Sequence, residues 1–347
     1  MRVITAVNIN DAWIRAKDLL YANHTTRPSR VGEVWEAPWP VTTVYLRPLE
    51  RVLFDPQRNA NPFFHLMEAL HLLAGRRDVS WLERFNSRIR DFVGPDEEQH
   101  AAYGYRLRKA FDLDGGAEDD YSDQLLKAIR MMKKNPNERR ACIANWNPLW
   151  DLERPDVSDI PCNTHAYLKI RNNKLDIVVC CRSNDIVYGC YGSNVVQFSV
   201  LLEYLAAMIG VPVGLYYQIS DSWHAYTERW EKLAGDPPYS LVDFYGDNVP
   251  GGPAAEPFPL VTDPEVFDEE LSRWMARDFK QGYWWHNRFF PEVAEPLWCA
   301  WDWYKFGDFS QARLLLSQCK ATDWQLACSC WLERIVRNRE MKAKARV

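Results

Sequence analysis

Residues 160–194 read IPCNTHAYLKIRNNKLDIVVCCRSNDIVYGCYGSN, and this stretch organises the rest of the chain. Thr164 to Ile170 and Leu175 to Cys181 are strand-like runs joined by Arg171-Asn172-Asn173-Lys174, a hairpin turn. Pro161 places Cys162 at the entry of the first strand, and Arg182-Ser183-Asn184-Asp185 closes the second. Asn194 then opens a long apolar helix, Asn194 to Ile209, which Gly210 ends.

Outward from this hairpin, Arg2 to Val7, Ala141 to Trp146 and Gly214 to Ser220 also read as strands. Ile9 to Tyr21 and Ser122 to Lys134 read as helices, the second with a basic end that suits its C-terminal dipole. In Pro62 to Leu73 the residues Phe63, Leu66, Met67, Leu70 and Leu73 recur at helical spacing, with Gly75 as the stop and Glu68 among them. Val34 to Leu46 carries Pro38 and Pro40, which predicts irregular or edge strands. Asp114 to Asp120 is a polar loop. The texture divides the chain into a core at 1–234, a Pro/Gly-rich excursion at 235–263 and a helical extension at 264–347. Within the extension, Phe309 to Cys319 and Asp323 to Arg337 form a helical hairpin before a basic tail. Its tryptophans (Trp274, Trp284, Trp285, Trp298, Trp301, Trp303, Trp324, Trp331) read as core rather than as a stacking surface.

A chain of 347 residues has room for a sizeable core. A net charge of −5 gives no global basic field, so no direct nucleic-acid partner is expected. Basic residues sit in local knots instead: Arg27/Arg30, Arg88/Arg90, Arg106/Arg108 and Arg139/Arg140. Nine cysteines without pattern, including Cys180-Cys181, suggest neither a disulfide framework nor a metal site. With no apolar signal core and no apolar run of spanning length, a cytoplasmic protein without membrane contact is the expectation.

Most cysteines at strand starts are small buried hydrophobes. Cys162 differs in its company, because nearby arginines raise the thiolate fraction of a thiol. C5 of a pyrimidine is not nucleophilic on its own. Thiolate addition at C6 makes it enolate-like, able to attack a one-carbon electrophile, and splits a hard step in two. Arg182 and Ser183 at a strand end suit a phosphate, although alone they would read as a surface ion pair. Asn194 can offer an amide to a pyrimidine edge or simply cap its helix.

Taken in order, these residues resemble the thymidylate synthase family, which includes the phage pyrimidine-nucleotide hydroxymethylases, from about Ser29 to Tyr226. The family's Pro-Cys-His appears as Pro161-Cys162-Asn163, its Arg-Ser-x-Asp as Arg182, Ser183 and Asp185, and its base-reading asparagine as Asn194. Its His-x-Tyr matches His224 and Tyr226, its helix glutamate Glu68, and its Tyr-Gly with a following arginine Tyr103-Gly104 and Arg108. The resemblance implies an α+β fold, a mixed sheet packed with helices, to which this chain adds its all-helical extension. It implies Cys162, Glu68, Tyr103 and Asn194 as catalytic residues. Arg30, Arg182, Ser183, Asn194, His224 and Tyr226 would hold a pyrimidine nucleotide 5′-monophosphate, with Arg139 and Arg140 donated to its phosphate across a homodimer interface. Asp185 would bind the co-substrate 5,10-methylenetetrahydrofolate.

The departures bear on the product. Asn163 replaces the family's histidine, and Arg90 falls near a tryptophan that shields the exocyclic methylene, which would put Arg90 at the folate side. No closing C-terminal segment is recognisable, and the helical extension stands in its place. Hydride from folate gives a methyl group and water a hydroxymethyl group, so water access decides between them. The departures favour water, and Asn194 favours uracil, which points to a dUMP 5-hydroxymethylase. Methylation of dUMP to dTMP, or a cytosine substrate (dCMP or CMP), are the alternatives within the family. A catalytically idle nucleotide-binding homologue is the alternative outside enzymes.

Overall fold

The computed structural model describes all residues except 94–97, 112–122, 155–158, 235–241, 247–253, 281 and 345–347. The polar loop expected at Asp114 to Asp120 lies outside the described residues, as does Ser122.

One mixed sheet forms the frame. Its strands are β1 (Arg2–Ala6), β2 (Thr25–Ser29), β3 (Gly32–Glu36), β4 (Val41–Tyr45), β5 (Cys142–Ala144), β6 (Asn163–Arg171), β7 (Lys174–Asp185) and β8 (Val213–Tyr226). The order is β1-β4-β8-β7-β6-β5, and the β2–β3 hairpin joins the far end of β8. β1 with β4 and β7 with β8 run parallel, while the other pairs are antiparallel. β4 corrects one expectation: it is buried throughout between β1 and β8, and the prolines fall in the connection before it. The β6–β7 turn is as expected, with Asn172 and Asn173 at φ of 50° and 60°, the region that asparagine tolerates best after glycine.

The core helices are α1 (Ile9–Asn23), α2 (Pro62–Leu73), α3 (Val79–Glu83), α4 (Tyr103–Arg108), α5 (Gln124–Lys134), α6 (Pro148–Asp151), α7 (Asn194–Ile209) and α8 (Thr227–Ala234). Asn61 caps α2 by accepting from Phe64 N at 3.2 Å, and Pro62 supplies a pre-set φ at the first turn. α7 is apolar on nearly every side because α2, α5 and the sheet surround it. With the turn before it, α7 makes a segment long and apolar enough to cross a bilayer, yet 78% of its most apolar window is buried inside this fold, which marks a core helix. The other face of the sheet is less covered. Val3 is 58% and Tyr167 48% exposed, and Val178, Cys180, Tyr217 and Ile219 are half-buried.

The extension contains α9 (Phe267–Met275), α10 (Glu295–Phe306), α11 (Phe309–Leu316) and α12 (Thr322–Lys344). It packs behind α2: Phe63 lies 5.3 Å from Trp301 and 5.8 Å from Trp331, and Trp298 lies 5.5 Å from Trp81. Trp274, Trp298, Trp301, Trp324 and Trp331 are buried, as the helical spacing predicts, whereas Trp284 and Trp303 reach solvent. Buried carboxylates organise this half. Glu270 accepts from Asn287 N at 2.9 Å, Asn287 Nδ2 at 2.8 Å and His286 N at 2.8 Å. Described residues of the excursion tie it to both the core and the extension. Tyr245 OH donates to Asp323 at 2.9 Å and accepts from Val52 N at 3.1 Å, while Asn8 Nδ2 donates to Asp243 at 2.7 Å.

Candidate active site

β7 and β8 run on past the limits that the hydrophobic pattern predicts, and those added residues carry the site. Their parallel register sets Ser183 beside Ser222 and Asp185 beside His224. Cys162 immediately precedes β6, whose antiparallel pairing brings it next to Arg182; Arg182 N donates to Cys162 O at 2.9 Å. The Arg182 guanidinium donates to Pro161 O at 2.9 Å and Ile160 O at 3.0 Å, and it lies 3.9 Å from Cys162 Sγ. One arginine therefore both pins the nucleophile loop and faces its sulfur. Arg30, at the tip of the β2–β3 hairpin, adds a second positive charge that acts on Cys162 and on Tyr226. Arg27 is taken by Glu36 at 2.9 Å.

Burial pushes the Cys162 thiol up, Arg182 and Arg30 pull it down, and Asp159 and Asp185 push it up again. Arginine proximity alone, as read from the sequence, does not outweigh burial.

Cys162 opens into a cavity of about 200 Å³ that Glu68, Tyr103, Asp159, Ser193 and Asn194 also line. Asn194 Nδ2 donates to Asn184 Oδ1 at 2.9 Å, and Asn184 Nδ2 donates to Ser220 Oγ at 2.9 Å. This relay fixes the amide: one N–H is committed inward, leaving its other N–H and its carbonyl for a ligand. Gly189 makes room for the relay, since a Cβ there would come within 3.0 Å of both Asn184 Oδ1 and Asn194 Nδ2. Asn184 is the unspecified position of the Arg-Ser-x-Asp motif, and sequence reading passed over it.

Tyr103 starts α4, and its hydroxyl accepts from Asn163 N at 3.3 Å and Asn163 Nδ2 at 3.0 Å. Asn163 thus orients the tyrosine from the position where the family carries histidine. Gly104 allows α4 to seat against α2, because a Cβ would meet Leu72 O at 2.1 Å. Arg108 turns from the site to Asp123 at 2.9 Å and Asp268 at 3.1 Å, joining core to extension.

Glu68 points from α2 into the wall between this cavity and a second one of about 370 Å³, lined by Arg58, His65, Ile89, Tyr188 and Arg229 as well. Burial pushes the Glu68 carboxyl up to about 7, against the pull of Ser193 and Gln197. Its Oε2 has no hydrogen-bond partner among the described residues, and neither do Asn163 Oδ1 and Gln197 Oε1 nearby. Such orphans at a cavity are groups waiting for ligand or water.

The charged groups that line the second cavity are mostly cationic: Arg58, Arg88 and Arg229 against Glu68. Arg58 and Arg229 lie over the Tyr188 ring at 4.7 and 4.3 Å, and burial together with Arg58 lowers His65 to about 3, which keeps it neutral. Asp185 accepts from Val187 N at 2.9 Å; burial raises its carboxyl, which His224, Arg229 and Arg58 pull back. His224 Nδ1 lies 3.2 Å from Ser222 Oγ, and Tyr226 stands edge-on to it at 5.6 Å.

Three expected residues, Arg90, Arg139 and Arg140, lie outside the Cys162 cavity of a single chain. Arg90 turns to Glu83, and Arg88 and Ile89 of the same turn line the second cavity. Arg139 and Arg140 are exposed before β5, with Arg140 Nη2 held by Glu138 at 2.9 Å; neither lines the Cys162 cavity within one chain. Among the described residues no cluster of His, Cys, Asp and Glu has the shape of a metal site.

Known proteins similar to this chain place it in a family. The thymidylate synthase family model covers residues 59–236. A deoxyuridylate hydroxymethyltransferase of Pseudomonas phage M6 is 40% identical over 343 residues, spanning 96% of this chain and 94% of that protein. One of Bacillus phage SP01 is 38% identical over 230 residues, 65% of this chain and 59% of that protein. A putative thymidylate synthase of Methanosarcina mazei is 29% identical over 240 residues, 67% of this chain and 93% of that protein. Because the family model spans more than half of the residues and the M6 relative aligns nearly end to end, the chain belongs to the thymidylate synthase family.

Proposed function

We propose that this protein transfers a one-carbon unit from 5,10-methylenetetrahydrofolate to C5 of dUMP and lets water capture it, giving 5-hydroxymethyl-dUMP. The carrying observation is one cavity that gathers a thiol, a carboxyl and an amide whose inward N–H is already committed to Asn184. The remaining N–H and carbonyl of Asn194 match O4 and N3–H of uracil. Cys162 adds to C6, and the electron pair reaches O4 through C5, where Glu68 and Tyr103 manage protons and ordered water. Arg30, Arg182 and Ser183 take the phosphate, while His224 and Tyr226 take the sugar hydroxyl.

The second cavity fits the co-substrate: Phe64 and Ile89 offer apolar walls and Arg58 and Arg229 offer charge for an anionic tail, with Asp185 nearby. The folate supplies an electrophilic methylene when bound. Water capture is supported by the placement of the extension behind α2 rather than over the cavity mouth. It no longer draws on Arg90, since Ile89 occupies the cavity wall.

A homodimer completes the phosphate site in this reading. The half-covered sheet face, with Val3, Tyr167, Val178 and Ile219, suits burial against a second copy, which would bring in the partner's Arg139 and Arg140. Nine free thiols suit a reducing cytoplasm. The test is incubation of the purified protein with dUMP and methylenetetrahydrofolate, reading nucleotide mass and folate oxidation level. Hydroxymethyl product with tetrahydrofolate is expected; methyl product with dihydrofolate would overturn the reading.

A further inference from the structure

We propose that Asp159, three residues before the nucleophile, is the base that takes a proton from the water captured at the C5 methylene. The proposal rests on the hydroxymethyl reading above and adds a residue that the family motifs do not include.

Asp159 lines the same cavity as Cys162, Glu68 and Asn194. Its Oδ2 accepts from Ala101 N at 2.9 Å, so a peptide N–H holds the carboxyl in place at the α4 side of the cavity. It is close enough to act on the sulfur, where its negative charge opposes thiolate formation. A carboxyl beside the nucleophile is a liability in the first step, and a role in a later step explains its position. Burial also raises the Asp159 carboxyl, opposed by the Ala101 peptide N–H and the His100 and Arg106 charges, which makes its ionised form a stronger base.

The geometry divides two tasks. Glu68 sits in the wall shared with the second cavity and faces Ser193 and Gln197. Asp159 flanks Cys162, whose sulfur is bonded to C6, the ring atom next to C5. A water oxygen forms a bond to the exocyclic carbon, and the C5–methylene π pair moves into C5–C4 to give the O4 enolate. The water proton passes to the Asp159 carboxylate. The enolate then collapses, C5–C6 becomes double, and the C6–S pair leaves with Cys162 as thiolate. No oxidant or reductant enters, and water is the added reactant.

The experiment uses full-length protein carrying Asp159→Asn, Asp159→Glu or Asp159→Ala, with dUMP tritiated at C5 and methylenetetrahydrofolate. Tritium release reports methylene formation, before water enters. In Asp159→Asn, tritium release should stay within about threefold of wild type while hydroxymethyl product falls about 10²-fold or more, the usual worth of a general base. Added 2-mercaptoethanol should then trap the methylene as a thioether. Formate should restore product to Asp159→Ala, and Asp159→Glu should recover part of it. Covalent capture of 5-fluoro-dUMP by Cys162 should be at least as fast as in wild type, since the charge that opposes the thiolate is gone, which shows a folded site. A parallel fall of tritium release and product, or an unchanged product ratio in Asp159→Asn, would overturn the role of Asp159 alone. Wild-type protein that made dTMP and dihydrofolate would overturn the hydroxymethyl reading and this role with it.

Discussion

Glu68 and Glu270 both sit on helices with their carboxyls turned inward, and they are treated in opposite ways. Glu270 in the extension is 1% exposed, and three N–H groups from His286 and Asn287 converge on it. Glu68 in α2 keeps one oxygen without a partner among the described residues, at the boundary of two cavities. The first is consumed by folding and the second is held back from it. A buried charge satisfied on all sides reports architecture, whereas one left short reports chemistry.

Removing the sulfur tests the chemical region most directly. Cys162→Ser should lose turnover roughly 10⁴-fold or more and fail to capture 5-fluoro-dUMP, with thermal unfolding unchanged. Retained turnover would sink the covalent account.

The two glutamates themselves provide the next contrast. Glu68→Gln should lower kcat by about 10² to 10⁴-fold with stability unchanged or higher, because a strained carboxyl is relieved. Since burial sets Glu68 near 7, it is protonated below that pH and able to donate toward O4. The high-pH limb of kcat/KM should therefore fall past about 7 in wild type and vanish in Glu68→Gln. Glu270→Ala should do the reverse, costing about 3 kcal/mol of stability in denaturant titration while kcat per folded molecule stays the same. If both variants behaved alike, the distinction would be empty.

A third contrast comes from pH alone. Burial raises Asp323 to about 7, so its proton is held more tightly folded than unfolded. The linked stability is fully present below about pH 4 and is lost as pH rises through about 7, a loss on the order of 4 kcal/mol. Denaturation midpoints at about pH 5 and pH 8 should differ in wild type, and the difference should shrink in Asp323→Asn to the part that Glu68 leaves. The smallest effect belongs to Asn184→Ala. Releasing the Asn194 amide should raise the dUMP KM about tenfold and weaken discrimination against dCMP, with tritium release at saturation little changed.

These contrasts also mark what the sequence alone could reveal. Cys162, Arg182, Asn194 and Glu68 were legible because each lies in an ordered motif, and the Asn172-Asn173 turn fixed the register that joins the first two. Asn184, Asp159, Arg58 and Arg229 were not, because their significance arises only when distant segments meet around the cavities. Arg90 and Ile89 differ by one position on a short turn, a rotation that spacing does not resolve. The thiol illustrates a different limit: arginine proximity could be read, but not the burial that opposes it. In the extension, periodicity was right for Trp274, Trp298, Trp301, Trp324 and Trp331 and wrong for Trp284 and Trp303, which are exposed, and it could not say that Trp301 and Trp331 cover α2.

That coverage has a practical corollary for protein engineering. Phe63, Trp81 and Phe85 have aromatic rings of the last hundred residues as neighbours. A gene shortened to the part shared with smaller relatives would leave those rings facing solvent on the reverse of the helix that bears Glu68. Miniaturised versions of this catalyst would need a redesigned outer surface on α2 before they could be expected to hold their shape.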